Sequence, residues 1–562
     1  MSVLVSESKK QIEELLINAA KTAIEKGELR DTELAHFKVE VPADRKNGDY
    51  AVNAALVWAR GFKSAPRAIA EKLMANASFD GTFIEKYEIA GPGFINFFLS
   101  DKYYANIVAD VITKGDDYGK SNFGEGKRVL VEFVSANPTG PMHIGNARGG
   151  ALGDCLAAVM SAAGYYTERE FYINDAGNQI NKFGLSLDLR YQQIYADGVE
   201  MPEDSYHGED IIAHAKAFAE INGDKYKQAD EATRRKALVE FALPKNIQGL
   251  KDDLGKYRIK YDTWFRESTL HNNGEAARII ELLKQSGHTY MQEDALWFKA
   301  TDFGCDKDFV LVRANGVPTY VVPDIAYHYN KLEVRKFDKA IDILGADHHG
   351  YVPRLKAALT ALGVDANRLD VVLMQMVRLV RDGEVIKASK RSGKAITLVT
   401  LLDEVPIDAA RFFFNLREPN SHFDFDLDLA VSESNSNPVF YVQYAYARIC
   451  SILRNLQEDG VQKRDCTAEE LCVLNAPEER ELIIHISSLT DEIIQSAKSY
   501  DPARLTHYVN ELATKFHKFY AACRVKGDDE VLTQARLNLC YATGIVIKNV
   551  LDMMKISAPE KM

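Results

Sequence analysis

The sequence predicts an α/β protein whose central domain is built on an open parallel sheet, with an α+β module before it and an all-α bundle after it. Two strand–helix–strand patterns in the middle of the chain predict the parallel sheet. Apolar runs around a Gly-Pro-Gly turn predict strands in the first module, and helical periodicity without strands predicts the bundle. The 562 residues are enough for about three or four domains of roughly 150 residues each.

The first module should occupy residues 1–125. Apolar residues recur at helical spacing from Val3 to about Gly27, and a second helical stretch follows Arg67. Two strands are expected on either side of Gly91-Pro92-Gly93, and the polar, glycine-rich residues that follow predict the end of the module. Because glutamates interrupt the first apolar stretch, we interpret it as an amphipathic helix and not as a secretory signal.

The central domain should extend from residue 126 to residue 420. Its expected strand–helix–strand units are residues 128–134, 144–163 and 166–173, and then residues 339–344, 352–362 and 370–380. Residues 190–295 are too long for a loop and alternate charged with apolar positions, so we expect a helical insertion there. Asn315-Gly316 between two apolar runs predicts a β-hairpin over residues 309–322.

The last domain, residues 421–562, should contain only helices. Apolar residues from Leu505 to Tyr520 fall on one helical face and predict a helix that packs into a bundle. No run in the chain reaches the roughly 18 apolar residues that a membrane span needs.

Charge and cysteine content limit the partners and the compartment. Lys and Arg number 69 against 81 Asp and Glu, so the formal charge is -12 and no global positive field attracts nucleic acid. An RNA partner would have to use local patches. The seven cysteines are scattered without a Cys-x-x-Cys pair, which argues against a disulfide framework or a zinc knuckle and favours a reducing cytoplasm.

The loop after the first central strand carries the most informative residues. It reads Ser135-Ala136-Asn137-Pro138-Thr139-Gly140-Pro141-Met142-His143, the signature loop, and leads into Ile144-Gly145-Asn146 at a helix start. Open parallel sheets bind phosphates at this position. His143 and Asn146 are three residues apart, so both side chains can face one pocket, while Gly145 would let a base or sugar approach the backbone. Neither a Walker loop nor a Gly-x-Gly-x-x-Gly string occurs.

A basic segment follows the last predicted strand of the sheet. It reads Lys387-Ala388-Ser389-Lys390-Arg391-Ser392-Gly393-Lys394, the lysine segment, and comes after an Arg381-Asp382-Gly383 turn. Considered alone, a lysine-rich loop is usually solvated surface. Its combination with the signature loop is what suggests a phosphate site.

Together the two segments resemble the His-Ile-Gly-His and Lys-Met-Ser-Lys-Ser motifs of class I aminoacyl-tRNA synthetases. Three segments more specifically resemble bacterial arginyl-tRNA synthetases: the signature loop, Ile173-Asn174-Asp175-Ala176-Gly177-Asn178-Gln179 and Gly345-Ala346-Asp347-His348-His349-Gly350-Tyr351. The similarity extends over essentially the whole chain. Asn146, Ala388 and Arg391 depart from the class motifs, whereas Lys387 and Lys390 are retained.

The resemblance implies a Rossmann-type catalytic domain between an N-terminal tRNA-contacting domain and a C-terminal anticodon-binding domain. It implies a cytoplasmic monomer that activates arginine with ATP and transfers it to the 3′ terminal adenosine of the arginine tRNA. ATP with Mg²⁺ would be a substrate, and no membrane, no tightly bound organic cofactor and no metal held by the protein alone would take part. In this family activation commonly needs bound tRNA.

The resemblance also assigns site residues. Catalytic roles fall to His143, Asn146, Lys387 and Lys390, and the ATP contacts also include Gly145 and Ser389. The arginine pocket would consist of Glu132, Ser135, Asn137, Tyr320, Asp324, Asp347 and His348. Carboxylates match the planar guanidinium group of arginine, but Asp324 is explained about as well as an ordinary acidic residue at a helix start.

The tRNA surface is less clearly marked. Acidic residues outnumber basic residues in both residues 1–126 and residues 431–562, so neither flanking domain has a basic footprint. Tyr441, Tyr444, Tyr446 and Arg448 could stack on and contact single-stranded bases. The same aromatic residues have helical spacing and could equally belong to the core of the bundle.

Two other hypotheses remain open from the sequence. The chain could be a class I synthetase for another amino acid, although Glu132 and Asp324 favour a cationic side chain. It could also be a non-catalytic RNA-binding paralogue, although such a protein should have lost the phosphate-handling residues that are present here.

Overall fold

A computed structural model describes residues 3–386 and 396–562 of the chain. The helices are α1 (Val3–Glu25), α2 (Ala54–Phe62), α3 (Pro66–Ala75), α4 (Asp101–Lys114), α5 (Ile144–Ala162), α6 (Gly177–Gln193), α7 (Glu209–Asn222), α8 (Glu231–Lys256), α9 (Glu267–Asn272), α10 (Glu275–Gln285), α11 (Val321–Tyr329), α12 (Val352–Ala361), α13 (Leu398–Glu404), α14 (Ile407–Phe414), α15 (Leu427–Val431), α16 (Pro438–Glu458), α17 (Ala468–Leu471), α18 (Pro477–Ser487), α19 (Leu489–Ser499), α20 (Ala503–Ala522) and α21 (Glu530–Met553). The strands are β1 (Val39–Glu40), β2 (Tyr50–Val52), β3 (Ile84–Ala90), β4 (Phe94–Leu99), β5 (Arg128–Glu132), β6 (Tyr166–Ile173), β7 (Thr263–Arg266), β8 (Thr289–Gln292), β9 (Ala295–Phe298), β10 (Phe309–Val312), β11 (Lys339–Gly345), β12 (Leu369–Met374), β13 (Val377–Arg381), β14 (Glu384–Val385) and β15 (Phe423–Asp426).

The first module is an antiparallel sheet in the order β1-β2-β4-β3 with helices α1 to α4. The predicted first helix and the two strands around Gly91-Pro92-Gly93 are confirmed. The two-residue and three-residue strands β1 and β2 escaped the sequence analysis because they are too short to show a period-2 pattern.

The central domain contains a parallel sheet in the order β12-β11-β5-β6-β7. The two predicted units are confirmed: α5 connects β5 to β6, and α12 connects β11 to β12. The predicted fold class is therefore correct. Because all five strands are parallel, their carboxyl ends lie at one edge of the sheet.

Two predicted element boundaries in this domain are wrong. The strand expected over residues 370–380 is split into β12 and β13, and β13 belongs to a separate sheet in the order β14-β13-β15. The turn between them leaves Met376 75% exposed, and the backbone N–H of Gln375 donates to Pro419 O at 2.9 Å. The insertion expected to be helical over residues 190–295 contains α7 and α8 but also β7, the outermost strand of the parallel sheet, and β8.

The hairpin predicted at Asn315-Gly316 forms but is shorter than expected: the N–H of Arg313 donates to Val317 O at 3.0 Å, and the N–H of Thr319 donates to Leu311 O at 2.8 Å. β10 is followed by a single bridge between Val312 and Pro318, and no second strand develops in the described residues. The chain instead enters α11 at Val321, which buries its apolar face in the core beneath the sheet. Tyr320 is consequently the residue that precedes a helix and not part of a strand, which corrects its predicted position.

The chain after α15 forms a bundle of helices, as predicted, although strand β15 lies just beyond residue 420. The stripe on α20 is buried from Leu505 to Phe519, but Tyr520 at its end is 40% exposed. None of the helices in residues 3–386 and 396–562 is both long enough and apolar enough to cross a membrane.

A buried arginine joins the bundle to the central domain. The guanidinium group of Arg411 on α14 is fully buried and forms three bonds. It donates to Met554 O at 2.6 Å and Tyr257 O at 2.9 Å, and it pairs with the carboxylate of Asp154 on α5 at 2.5 Å. Three segments that are remote in sequence are therefore held by one side chain.

Helix α5 packs on β5 through a glycine that the structure requires. A Cβ atom added at Gly153 would lie 2.1 Å from the ring of Phe133, whereas one added at Gly249 in α8 would meet nothing within 4 Å. We expect Gly153→Ala to lower the free energy of unfolding by about 1–3 kcal/mol through overpacking. As the matched control, Gly249→Ala should raise it by about 0.5–1 kcal/mol, because alanine is the better helix former. Thermal unfolding of both variants tests the pair, and equal shifts in one direction would contradict it.

Candidate active site

A strained turn directly follows β5 and places Ser135 beside Glu132. Val134 and Ser135 have φ values of 70° and 39°, and the Ser135 N–H donates to Phe133 O at 3.0 Å in a γ-turn. Positive φ is costly for a β-branched residue, by about 1–3 kcal/mol. The turn brings Ser135 Oγ within 2.7 Å of Glu132 Oε1, to which it donates, while Oγ accepts from the backbone N–H of Tyr172 at 3.1 Å. The structure thus brings together two of the predicted arginine-binding residues.

The start of α5 is joined to the chain that follows the lysine segment. The backbone N–H of Ile144 donates to Ile396 O at 3.2 Å, and His143 forms a bridge with Thr397. Lys387, Ser389 and Lys390 lie outside the described residues. The carboxyl-terminal flank of the lysine segment nevertheless contacts the signature loop, which supports the expectation that the two motifs belong to one site.

Asn146 and Gly145 occupy the first turn of α5. Asn146 Oδ1 accepts the backbone N–H of His143 at 3.2 Å and so closes the helix start, while the His143 side chain is exposed. A Cβ atom at Gly145 would have only His143 Nδ1 nearby, at 3.8 Å, so the protein itself leaves open space in front of this residue. Unpaired backbone N–H groups at such a helix start favour anions.

The helical insertion holds the signature loop in place. Asn246 on α8 donates through Nδ2 to Pro138 O at 3.0 Å, and its Oδ1 lies 2.6 Å from Nε2 of His214 on α7. Asn137, the neighbouring predicted arginine contact, is exposed. Sequence analysis missed Asn246 and His214 because nothing in a helical insertion indicates which face meets a loop about 110 residues earlier.

We expect Asn246→Ala to reduce kcat/KM about fivefold to tenfold in any reaction that uses the signature loop. Loss of the bond leaves Pro138 O without its partner and loosens the loop by about 1 kcal/mol. Gln248→Ala on the exposed face of the same helix is the matched control, since Gln248 bonds only Asp252. Equal activity of the two variants would exclude the positioning role of Asn246.

Asp324 lies in the first turn of α11 and faces two tyrosines. Its Oδ2 accepts from the hydroxyl of Tyr351 at 2.5 Å, and the ring centroids of Tyr351 and Tyr320 are 5.9 Å apart. Tyr320 is 70% exposed, so its ring is accessible to a ligand. Burial alone would raise the pKa of Asp324, but the neighbouring His328 and the Tyr351 hydroxyl outweigh it and lower that pKa.

A buried line of alternating charges connects Asp324 to Glu132. His328 Nδ1 bonds the backbone O of Asp324 at 2.8 Å and lies 3.2 Å from Asp324 Oδ1 as an ion pair. His328 Nε2 lies 2.6 Å from Asp342 Oδ2. Lys331 Nζ donates to Asp342 Oδ1 at 2.8 Å and to Glu132 Oε2 at 2.5 Å. Asp342 and Glu132 are register partners on neighbouring strands β11 and β5. We call these five residues the charge chain.

The inner members of the charge chain were not predicted. Asp324, His328 and Lys331 are spaced by four and three residues on an otherwise apolar segment, which places them on one helical face. That spacing is the signal that the sequence offered. Lys331 lies in a π-helical turn, residues Asn330–Val334, that extends α11. No local sequence pattern predicts such a turn.

Neighbouring charged groups determine the protonation states of the residues in the charge chain. Burial and Lys331 lower the pKa of His328, but the carboxylates of Asp324 and Asp342 outweigh them and raise it to about 10, so the imidazole is protonated at neutral pH. Burial raises the pKa of Glu132, and the shared Lys331 ammonium opposes that shift. Despite burial, Lys331 and His328 lower the pKa of Asp342.

The charge chain does not suit a protein-bound metal ion. Ligand atoms of Glu132, His328 and Asp342 lie within 4.8 Å of one another, a spacing compatible with metal coordination. However, the Lys331 ammonium already bonds both carboxylates, and His328 bonds Asp342. The position between the carboxylates is therefore taken by a side-chain cation.

Asp347 and His348 lie on the turn after β11 and are both exposed. They share the carboxyl edge of the sheet with Glu132, the end residue of the neighbouring strand β5. Within the described part of the chain, no hydrogen bond or ion pair joins either of them to Glu132 or Asp324. Their predicted arginine contacts are neither supported nor contradicted by this geometry.

An arginine and several aromatic rings lie together on α16 and α20. The guanidinium group of Arg448 lies over the rings of Tyr444 and Tyr520, at 4.7 Å and 5.4 Å from their centroids, and it donates to the Tyr444 hydroxyl at 2.6 Å. The ring of His517 lies near that of Tyr441, with centroids 5.0 Å apart and ring planes tilted by 55°. Burial and Arg448 lower the pKa of His517 to about 4, so it is neutral. Tyr441, Tyr444 and Tyr446 are half-buried, and the core of α16 is formed instead by Val442, Ala445 and Ile449.

Three family models match successive parts of the chain. Residues 8–99 match the arginyl tRNA synthetase N-terminal domain. Residues 107–431 match the catalytic domain of class I tRNA synthetases of the arginine type, and residues 442–562 match the DALR anticodon binding domain.

Curated relatives match the whole chain. An arginine–tRNA ligase of Caldanaerobacter subterraneus subsp. tengcongensis is 52% identical over 562 residues, and one of Acetivibrio thermocellus is 51% identical over 564 residues, with full coverage of both chains in each case. The crystal structure of a putative arginyl-tRNA synthetase from Campylobacter jejuni superposes with a TM-score of 0.74 at 33% identity and covers 83% of this chain and 100% of that one.

Proposed function

The chain belongs to the arginyl-tRNA synthetase family, and we propose that it performs the reaction of that family with the side chains at the carboxyl edge of its parallel sheet. It is an arginine–tRNA ligase that activates arginine with ATP to arginyl-adenylate and then transfers the arginyl group to the 3′ terminal adenosine of the arginine tRNA. The observation that carries the assignment of the site is the contact of the signature loop with the chain after the lysine segment, beside the charge chain.

The phosphate end of the site is formed by the start of α5 and the lysine segment. In the first step a carboxylate oxygen of arginine attacks the α-phosphorus of ATP, and the bond to pyrophosphate breaks. We assign His143 and Asn146 to the ATP phosphates, and Lys390, helped by Lys387, to the departing pyrophosphate. Ser389 is assigned to ATP, and the open space at Gly145 to the base or sugar of ATP. This assignment is supported by the motif spacing and by the bond between Ile144 and Ile396.

The arginine end of the site is formed by the residues around the charge chain. We assign Glu132 and Asp324 to the positive groups of arginine, with Ser135, Asn137 and Tyr320 completing the pocket and Asp347 and His348 at its rim. The half-buried, ionised Asp324 carboxylate and the exposed Tyr320 ring support this assignment. In the second step a ribose hydroxyl of the tRNA attacks the carbonyl carbon of arginyl-adenylate and AMP leaves.

The magnesium ion, the compartment and the oligomeric state are each proposed from one or two observations. Mg²⁺ would be held by the ATP phosphates, because the grouped carboxylates of the charge chain are taken by Lys331. We further propose a cytoplasmic monomer. The cysteine pattern favours a reducing compartment, and the large apolar side chains exposed on the described part of the chain are spread along the sequence from Val41 to Met562.

We propose three domains at residues 1–125, 126–420 and 421–562, for tRNA contact, catalysis and anticodon binding. The three family models support this division, and both the catalytic match to residue 431 and the pairing of β15 with β13 favour a slightly later second boundary. The cluster of Arg448 with Tyr444 and Tyr520 is the proposed surface for stacked anticodon bases.

ATP–pyrophosphate exchange with each of the twenty amino acids, with and without total tRNA, tests the proposed function. Exchange is expected with arginine alone and only when tRNA is present. Exchange with another amino acid would refute the arginine pocket but keep the chemistry. A folded protein that binds tRNA and exchanges with no amino acid would instead indicate a non-catalytic paralogue.

A further inference from the structure

We propose that Lys331, Asp342 and His328 are positioning residues for arginine, which hold the carboxylates of Glu132 and Asp324 in fixed places as the two anionic contacts of the substrate. The inference rests on the proposed function and deepens it, because it concerns how the same pocket selects its amino acid. None of the three inner residues would itself touch arginine.

The bonding pattern supports a positioning role. Both oxygens of Asp342 are engaged, one with Lys331 and one with His328. Lys331 bonds both Asp342 and Glu132. His328 bonds Asp342 on one side, and on the other it bonds the backbone O of Asp324 and forms an ion pair with the Asp324 carboxylate, so every inner member has a partner on both sides. A displacement of the Glu132 or Asp324 carboxylate would therefore break its contact with the neighbouring residue of the charge chain.

Burial shows that stability is a poor explanation for these three residues. Lys331, Asp342 and His328 are 0%, 2% and 4% exposed. Desolvation of buried ions offsets most of their mutual attraction, and apolar side chains of similar volume often stabilise a protein as well or better. What apolar side chains could not do is fix the places of two carboxylates at the edge of the sheet.

The net charge of the charge chain is opposite to that of the proposed substrate arginine. Three carboxylates, one ammonium and one protonated imidazole carry a net charge of -1 in a water-poor site. An arginine zwitterion carries a net charge of +1 and would balance the net charge of these five residues, whereas a neutral amino acid would not. The charge chain thus contributes to selecting a cationic side chain. Tyr351, which donates to Asp324 and packs near Tyr320, connects the Tyr320 ring to the same pocket.

Asp342→Asn is the principal test. It removes one charge while keeping the size of the side chain. His328 and Lys331 then lose the carboxylate that holds both of them, so Asp324 and Glu132 are no longer held in fixed places. In the exchange assay the KM for arginine should rise about tenfold to a hundredfold, while the KM for ATP should change less than threefold.

His328 faces Asp324 and Lys331 on its own helix, Asp342 on β11 and Glu132 on β5. Loss of the Asp342 carboxylate lowers the pKa of His328, so the arginine KM of the variant should depend on pH more strongly between pH 6 and 8 than that of the native protein.

The matched control is Asp188→Asn, in the buried pair of Asp188 with Arg234 on the insertion helices α6 and α8. It should affect thermal stability comparably but leave the arginine KM and its pH profile unchanged. If Asp342→Asn does not fold, His328→Gln decides through the same comparison of the two KM values. Equal rises in the KM for arginine and ATP, or no rise, would overturn the positioning role. Loss of exchange with arginine in the native protein would refute the proposed function instead, so the two failures are distinguishable.

Discussion

Arg411→Met is expected to lower the free energy of unfolding by about 3–5 kcal/mol, because it removes one partner of a buried ion pair. The thioether fills much of the space but cannot donate to Met554 O or Tyr257 O. Asp154 would keep only its bond with Arg169, at 2.9 Å. Thermal unfolding followed by circular dichroism should show the transition of the variant at a clearly lower temperature.

Arg417→Met, six residues further on, is the matched control. Arg417 is exposed, so the same substitution there should change stability by less than about 0.5 kcal/mol. If the two variants unfolded at the same temperature, the junction of α14 with α5 and the bundle would not depend on the guanidinium group.

Lys390→Ala is expected to lower kcat for arginine-dependent exchange by about a hundredfold to a thousandfold, the usual effect of losing one donor to a charged transition state. The ammonium group is proposed to stabilise the negative charge of the departing pyrophosphate, a charge that is greatest after the substrates have bound. The KM for arginine should therefore change little. Exchange rates at saturating ATP and arginine, in the presence of tRNA, provide the measurement.

Lys394→Ala removes an identical charge four residues away and serves as the control for Lys390. A reduction of only a few fold is expected there, since Lys394 matches no motif position. A comparable loss in both variants would mean that the net charge of the lysine segment matters and not the position of Lys390.

Local sequence signals predicted the elements that a short stretch of chain determines. The βαβ unit of β5, α5 and β6 follows from apolar runs whose period is visible within 50 residues. The hairpin at Asn315-Gly316 stayed short because Val321, Val322 and Ile325 are buried on helix α11 and do not continue a second strand. β7 was missed because it is four residues long and pairs with β6 across more than 80 residues of helical insertion.

The candidate site divides in the same way. The signature loop and the lysine segment were recognised from adjacent residues, and Glu132 and Asp324 followed from the family resemblance. Lys331 was not found, because its partner Glu132 lies 199 residues earlier and only the folded sheet brings the two together. The positive φ of Val134 was equally invisible, since valine is among the residues least suited to that backbone conformation.

The last long helix packs against the end of the first module. Asn549 on α21 donates to Gly115 O at 2.9 Å and to Tyr118 O at 3.2 Å, across a sequence separation of 431 residues for the second bond. At a synthesis rate of roughly 5–20 residues per second, the ribosome needs about 20–90 s to travel between the two positions. During that interval the apolar surface that α21 later covers on α4 is exposed to solvent in the nascent chain. Binding by chaperones that capture apolar segments should therefore be concentrated in this interval and should end when α21 emerges.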